Sequence, residues 1–462
     1  MTENADIAVL GGGPAGYVAA LVAAQRGARV TLVERQRLGG TCLNVGCIPT
    51  KVLTTAADLL ARCRTAGDLG LSIPQVSADP SSLMARKQNT VDQLVQGVEH
   101  LLRARRVTVI AGEAQLIKPG LLSVSANGIV SEIPARHILL APGSITADPP
   151  IEGRDLPGVI TSTEALVVDA VPARLVVIGG GVIGLEFACI YEALGSQVTV
   201  LEMTSALLPG ATDEPLARRL QSILQRRGMA IHTGVCVQKI VKVADALKVI
   251  AGESTFEADK VLIAAGRWPN TASIDHSGLG LRISGRAIAV DDRMATNLPD
   301  VWAAGDAVPG PMLAHKAMME GRVVAENMTG GSRRADYRSV PNVIFTRPEI
   351  ASVGLTETQA RANGFEIKVS QFPMSANPRA RILGETEGVV RLICEKGSGR
   401  VLGVHLMGPH VTDWIAEGAL AVQMGATADD LAWTTHAHPT LPEAMLEAAL
   451  GFRDAAVHMQ SR

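Results

Sequence analysis

The chain has 462 residues, 47% of them hydrophobic, with a net charge of −2 and a mean hydropathy of +0.22. That length predicts two to four domains, and the apolar content excludes a disordered chain. A near-neutral charge without a basic block, with only 3% aromatic residues, excludes a nucleic-acid partner and leaves little for base stacking or a carbohydrate cleft.

The N-terminus, MTENADIAVLGGG, has no basic stretch and enters a strand within a few residues, so no signal peptide is expected. No apolar run approaches membrane-spanning length. A soluble, cytoplasmic protein without a membrane partner is expected, a mature mitochondrial form being the alternative. Residues 6–10 read as a short buried strand, followed by GGGPAG and a helical run. Gly11, Gly13 and Gly16, with Pro14 and Ala15 between them, form G-x-G-x-x-G at a strand-to-helix turn, where amide N–H groups and the helix dipole favour a pyrophosphate. The next strand, ARVTLVE, ends at Glu34, placed to hydrogen-bond a ribose hydroxyl.

The stretch 39–51, GGTCLNVGCIPTK, carries Cys42 and Cys47 five positions apart. Residues at i and i+4 share a helix face and i+5 sits off it, so a disulfide is possible where the helix is distorted. Gly39, Gly40 and Gly46 let backbone approach a ligand closely, and Pro49 interrupts the helical pattern. The plainer alternative is two buried cysteines in a helix. The other four, Cys63, Cys189, Cys236 and Cys394, are scattered and read as small core residues, and no cysteine–histidine cluster has zinc spacing, so no metal is predicted.

From Val52 to about Val107 the pattern is helical, in two long pieces, LLARCRTAGDLG and SSLMARKQNTVDQLVQGVEHLLRARR. Strand patterns follow (VTVIAGEAQLI, LLSVSANGIVSEI, HILLAPGS), then a proline-rich linker, ITADPPIEG. The architecture then repeats. Gly179, Gly181 and Gly184, with Val182 and Ile183, form a second G-x-G-x-x-G, and Glu202 ends the next strand. Glu202 would accept from a ribose 2′-OH and repel a 2′-phosphate, so NAD is favoured over NADP. VLIAAGRWPN closes this unit; TNLPDVWAAGD ends a further strand at Gly305-Asp306, and a helix starts near Ala314. From Pro341 the composition shifts to strands and then helices, an α+β module that contains WTTHAHPTLPE near its end. His315, His410 and His458 are read as structural.

Taken in order, these segments resemble the flavin-dependent pyridine nucleotide–disulfide oxidoreductases over nearly the whole chain, and within them CLNVGCIPTK looks most like the dihydrolipoamide dehydrogenases. The resemblance implies an α/β fold with two Rossmann-like domains, for FAD and NAD, and a C-terminal α+β dimerisation domain. Its boundaries would be 1–147 (FAD), 148–270 (NAD), 271–340 (FAD, central) and 341–462 (dimerisation). It implies Cys42 and Cys47 as a redox disulfide, His438 and Glu443 as base and orienting acid reaching the other subunit of a homodimer, and Lys51 with Glu186 as a charge pair near the flavin. His436 matches a neighbour of less certain role. FAD contacts would come from Gly11, Gly13, Pro14, Ala15, Gly16, Glu34, Arg35, Gly40, Thr41 and Lys51, then Ala114, Gly143, Ser144, Asp306, Leu313, Ala314 and His315. NAD contacts would come from Gly179, Gly181, Val182, Ile183, Gly184, Glu202, Val235 and Gly266. A dithiol on a lipoylated carrier protein would be oxidised and hydride passed to NAD.

Four features depart from what is expected of a housekeeping enzyme: Pro142 stands where relatives have threonine, with one hydrogen bond expected to be lost; Met318-Met319 stand where acids are usual; and GPHVTDWIAEG and WTTHAHPTLPE differ as well. Together they point to a specialised lipoylated partner. Glutathione- and trypanothione-type reductases favour NADPH, which Glu202 opposes; mercuric-type relatives carry a C-terminal cysteine pair that GFRDAAVHMQSR lacks; and no lipoyl-bearing extension is read before Asp6. The alternative from another class, a non-catalytic structural or redox-sensing flavoprotein subunit, does not require the Cys42–Cys47–His438–Glu443 set.

Overall fold

The computed structural model describes residues 5–272, 274 and 278–459. The first four residues, part of the N-terminal stretch read above, and the last three of GFRDAAVHMQSR lie outside the described residues. The chain forms two compact units. One contains the segments up to Val52, Ser81–Asp148 and Gly266–Tyr337; the other contains Leu53–Pro80, Pro149–Ala265 and the chain from Arg338 onward.

In the first unit a parallel sheet runs in the order Thr108–Ala111, Val30–Glu34, Ala5–Leu10, Ile129–Leu140, with Val301–Ala303 also pairing with Ile129–Leu140. Its inner strands are apolar on both faces because both faces are covered, while the edge strand Thr108–Ala111 is largely exposed. Ile7, Val9, Leu32 and Leu139 join one core, while Ala8, Leu10, Val33, Ile138 and Leu140 join the other. Helix Pro14–Gln25 packs on the first core through Ala15, Ala19, Ala20 and Ala23, and the small side chains let helix Ala314–Met328 come close. A Cβ at Gly321 would run into the Ala15 carbonyl oxygen.

Two local expectations are corrected here. Ile129–Leu140 is one strand, not two. It pairs antiparallel with Leu121–Ala126 as far as Pro134 and parallel with Ala5–Leu10 from Ala135, so proline, which has no N–H to give a ladder, sits where the pairing changes direction. The helical reading of 52–107 fails in the middle. A helix ends at Arg64, a single 3₁₀ turn covers Ala66–Leu69, no regular element spans 71–79, and the long helix is Pro80–Ala104. Gly70 at φ +79° stops the turn, and Pro74 follows.

In the second unit a parallel sheet is ordered Ala230–Thr233, Gln197–Glu202, Arg174–Ile178, Lys260–Ile263, Val159–Thr161. The C-terminal module is an antiparallel sheet, Asn342–Ile344, Glu349–Gly354, Val401–Gly408, Val389–Glu395, Ile367–Pro373, covered by helices Val411–Met424 and Glu443–Phe452. The α/β fold with two Rossmann-like halves and an α+β module is therefore as the sequence suggested. The reading of all four outlying cysteines as core residues needs correction. Cys394 is buried; Cys189 is half-buried, and desolvation pushes its thiol up to about 12. Cys63 is only half-buried and Cys236 is exposed, because it lies in the irregular segment just after the edge strand Ala230–Thr233. Among the described residues no helix is long and apolar enough to cross a membrane.

Arg391, almost buried, donates to Asp213 at 2.9 Å, Glu357 at 3.0 Å and Gln371 at 3.3 Å. Removing one partner of a buried pair strands the other charge. Arg391→Met is expected to cost roughly 3–5 kcal/mol, read as a lower urea midpoint with unchanged slope.

Candidate active site

The two fingerprint loops are built alike. In each, the third glycine stands so close to the first that a Cβ would enter its carbonyl oxygen: Gly16 on Gly11, Gly184 on Gly179. The first glycines press on the next strand in the same way, against Ala141 and Ala264. Each strand-end acid latches its loop across an equal separation of 22 residues: Glu34 accepts from Gly12 N at 2.7 Å and Glu202 from Gly180 N at 2.6 Å. The second oxygen of Glu34 accepts from Gln36 N at 2.8 Å, and that of Glu202 from Thr204 N and Oγ1 at 2.7 Å. A carboxylate has about four acceptor positions, so each keeps capacity for a ribose hydroxyl. The middle glycines differ in kind from the others. A Cβ at Gly181 would meet nothing within 4 Å, and one at Gly13 only Gly40 Cα at 3.9 Å. Both helix N-termini lack a side-chain cap and an acidic residue in the first turn. The loops therefore present open space and unclaimed N–H groups, the donors a dinucleotide pyrophosphate needs. Around them, Val235 N donates to Glu202 O at 2.9 Å, Arg35 lies 3.9 Å from Glu113, and Ala114 follows on the adjoining strand.

The cysteine segment shows the distortion that the five-residue spacing demands. Helix Gly40–Val45 ends at Gly46, and a new helix, Cys47–Arg64, starts at the second cysteine. Gly46 has φ −141° and ψ −114°, and a Cβ there would lie 2.8 Å from Thr41 O. Pro49 does not interrupt this helix, contrary to expectation; it occupies the first turn, where its missing N–H has no intrahelical partner to lose. Cys42 is half-buried and Cys47 exposed. The Cys42 thiol is held far above the ordinary thiol range, first by its hydrogen bond with Cys47 and then by burial, with the ammonium of Lys51, one turn beyond Cys47, acting in opposition. Asn44, between the cysteines, donates to Leu38 O and Gly40 O, while its Oδ1 is buried with no hydrogen-bond partner, an acceptor that suits a bound group with a donor.

Asp306 belongs to a network that the sequence did not disclose. Ser144 Oγ donates to Asp306 at 2.6 Å, and Arg267 donates to Ser144 Oγ and O at 2.8 Å and to Thr41 Oγ1 at 3.4 Å. In the sequence Arg267 is one position of a turn; its burial, which lowers its pKa against the pull of Asp306 and then Cys47, marks it as part of the site. The Pro142 turn is braced from the same segment: Asn270 donates to Pro142 O at 3.3 Å and to Gly143 O at 2.9 Å. Gly266 O accepts from Ala147 N at 3.0 Å. Leu313 is the extended N-cap of helix Ala314–Met328, with His315 in its first turn. Met319, where an acid is usual, packs against the first core.

In the second unit His438 Nδ1 lies 2.8 Å from Glu443 Oε1, and Glu443 Oε2 accepts from Thr440 N at 2.6 Å. A carboxylate can only accept, so Nδ1 carries the proton and Nε2 presents a lone pair from a side chain that is 69% exposed. Asn377, buried and missed by sequence reading, fixes this loop by donating to Thr440 O at 3.0 Å. Glu186 is buried and accepts from Phe345 N at 3.0 Å. The structure thus brings Gly11–Gly16, Glu34, Thr41, Cys42, Cys47, Lys51, Ser144 and Asp306 together in one unit, and Gly179–Gly184 with Glu202 and Val235, and His438 with Glu443, in the other. Lys51 and Glu186 belong to different units.

The sequence profile of the pyridine nucleotide-disulphide oxidoreductases matches residues 5–321, and that of their dimerisation domain matches residues 340–449. The chain belongs to this family. It is 39% identical to the mitochondrial dihydrolipoyl dehydrogenase of Dictyostelium discoideum over 99% of this chain and 96% of that one. It is 38% identical to a dihydrolipoyl dehydrogenase of Bacillus subtilis, with 98% and 99% covered. The crystal structure of LpdA from Mycobacterium tuberculosis superposes with a TM-score of 0.90 at 30% identity, covering 96% of this chain and 98% of that one. As a member of this family the protein is an oxidoreductase that uses FAD and NAD(H), and the two open, uncapped loops fit two dinucleotides.

The geometry separates glycines needed by the fold from glycines needed by a ligand. Gly181→Val, at φ −77°, is expected to leave the thermal midpoint unchanged and raise KM for the nicotinamide nucleotide at least about tenfold. Gly184→Val is expected to lower the midpoint itself, by a cost of about 1–3 kcal/mol or more.

Proposed function

We propose that the protein is a dihydrolipoyl dehydrogenase that oxidises a protein-bound dihydrolipoyl dithiol and reduces NAD. The observation that carries the reading is the His438–Glu443 pair, an imidazole oriented through one nitrogen with its other lone pair turned outward. In the oxidised enzyme Cys42 and Cys47 share the disulfide. His438 Nε2 takes the proton of one substrate thiol, and the thiolate so formed attacks Cys42 Sγ, breaking the S–S bond and releasing Cys47 as thiolate. The second substrate thiol loses its proton and attacks the mixed disulfide. Lipoamide leaves, and Cys42 takes up a proton. The strongly raised Cys42 pKa suits this division, because the proton stays on Cys42 and the negative charge on Cys47, with Lys51 and Arg267 supplying positive charge. FAD, when bound, carries the two electrons onward to NAD. Gly11–Gly16, Glu34, Arg35, Gly40, Thr41, Lys51, Ala114, Gly143, Ser144, Asp306 and Leu313–His315 would hold FAD; Gly179–Gly184, Glu202, Val235 and Gly266 would hold NAD.

In this reading 1–147 with 271–340 form the FAD domain, 148–270 the NAD domain and 341–462 the dimerisation domain, and His438 serves the cysteines of the other subunit in a homodimer. A specialised lipoylated carrier is the intended dithiol; equal rates with lipoyl domains from unrelated systems would remove that part of the proposal.

The test is steady-state NAD reduction by dihydrolipoamide, with NADP in parallel. Turnover with NAD and little with NADP is expected. Cys47→Ser should abolish turnover, and His438→Gln should lower kcat by about 10²–10⁴-fold, the usual contribution of a general base. If NADH bleaches the flavin while dihydrolipoamide gives no turnover, the dithiol assignment fails.

A further inference from the structure

The base loop carries a second histidine in a different chemical state. His436 Nδ1 lies 2.9 Å from Thr434 O and Nε2 lies 2.9 Å from Glu417 Oε1. Its side chain is 5% exposed, against 69% for His438. A backbone carbonyl and a carboxylate are both acceptors, and neither can donate to the ring. Both ring nitrogens must therefore carry protons for the two contacts to be hydrogen bonds, and only an imidazolium has two. We infer that His436 is a positioning residue: an imidazolium clamped between Glu417 of helix Val411–Met424 and Thr434 O, which fixes the loop that aims His438. The inference rests on the dithiol chemistry proposed above.

The electrostatics agree. The hydrogen bond to Glu417 is the largest influence on His436 and raises its pKa; burial opposes it, and Thr434 O and the Glu443 carboxylate add to the rise. The charged and titratable groups facing the ring are thus Glu417 on one helix and Glu443 at the start of the next, with His438 two positions along the same loop. Glu417 is itself only 27% exposed, so neither partner gains full hydration if the pair breaks. Because the folded pKa lies above the unfolded one, the pair contributes its full stability below the ordinary imidazole pKa. That contribution is lost as pH rises through the raised value. The clamp is fully formed below the ordinary imidazole pKa and loosens as pH rises through the raised value.

The clamp acts through His438 and touches no reacting atom, so its loss should appear in kcat more than in KM. In the holoenzyme, His436→Gln keeps a single donor, and Glu417→Gln removes the charge with the same shape. Each is expected to lower kcat for dihydrolipoamide by about 10- to 100-fold, the cost of a base displaced by about an ångström, with KM within roughly twofold. The double variant should be no worse than either single one, because the two residues act as a unit. Wild type should show an alkaline fall in kcat that both variants lack. Wild-type kcat in both variants, or losses that multiply in the double variant, would overturn the inference; so would a lower thermal midpoint with kcat and pH profile unchanged. Histidine ¹⁵N NMR gives an independent reading: two protonated ring nitrogens on His436 at neutral pH are expected, and one bare nitrogen would refute the clamp. If wild type does not oxidise dihydrolipoamide at all, the functional reading fails and the NMR signal still decides the state of His436.

Discussion

Two strand-to-helix turns depend on backbone contacts that no side chain can enter. Gly16 rests on the Gly11 carbonyl and Gly184 on the Gly179 carbonyl, and each turn is pressed against the neighbouring strand at Ala141 or Ala264. This closeness brings a helix N-terminus to the end of its strand, so its first N–H groups face outward without partners. It also brings the middle of each turn within reach of an acid from the next strand, at 2.7 Å for Glu34 and 2.6 Å for Glu202. The same carboxylate therefore holds the loop in place and keeps acceptor capacity beyond those contacts. A hydrophobic residue there would lose both.

A second constraint operates at Gly305, whose peptide groups are gripped by a buried ion pair. Glu320 accepts from Gly305 N at 2.8 Å, from Lys316 Nζ at 3.0 Å and from Tyr337 OH at 2.8 Å, while Lys316 donates to Gly305 O at 3.3 Å. Both charged side chains are almost fully buried. Burial raises the Glu320 pKa, and Lys316 is the first of the groups that oppose it. A buried pair of this kind gains little net stability from its own attraction, because desolvation offsets it. Its value here lies in geometry: donors and acceptors on opposite sides of one residue fix the turn from which Asp306 projects to Ser144. Arg267 then ties Ser144 to Thr41, so the Gly305-Asp306 turn and the start of the cysteine segment are linked by side chains.

The sequence disclosed what repeats or alternates. Strand, glycine turn, helix and terminal acid could be read twice because each imposes its own spacing, and the C-terminal strands because they are rich in apolar and β-branched residues. The cysteine spacing even required a break in the helix, which Gly46 supplies. Long-range partners were not legible. Arg267 looks like any turn residue until it is placed beside Ser144, and Asn377 precedes Thr440 by 63 residues. Cys236 and Cys394 have no local pattern that separates an exposed thiol from a core one. The change from antiparallel to parallel pairing at Pro134 depends on two different partner strands, which no local pattern names. Met319 looked like a missing charge and is instead a side chain added to the first core.

His436 and His438 show why a motif cannot by itself assign chemistry. They share a loop, a residue type and a nearby carboxylate. His438 donates from one nitrogen and leaves the other to solvent, so it can exist neutral and accept a proton. His436 faces acceptors at both nitrogens inside a largely buried setting, so losing a proton would leave an acceptor against an acceptor. The difference comes from Glu417, which lies 19 residues away and reaches the loop only because helix Val411–Met424 packs on the C-terminal sheet. A base near neutrality is most effective when its geometry is fixed by groups that do not themselves titrate with it. An imidazolium held by a carboxylate moves toward that condition, since Glu417 raises the pH at which its proton is lost. Two identical side chains can thus divide the work, one exchanging protons and the other keeping its proton to hold the first in place.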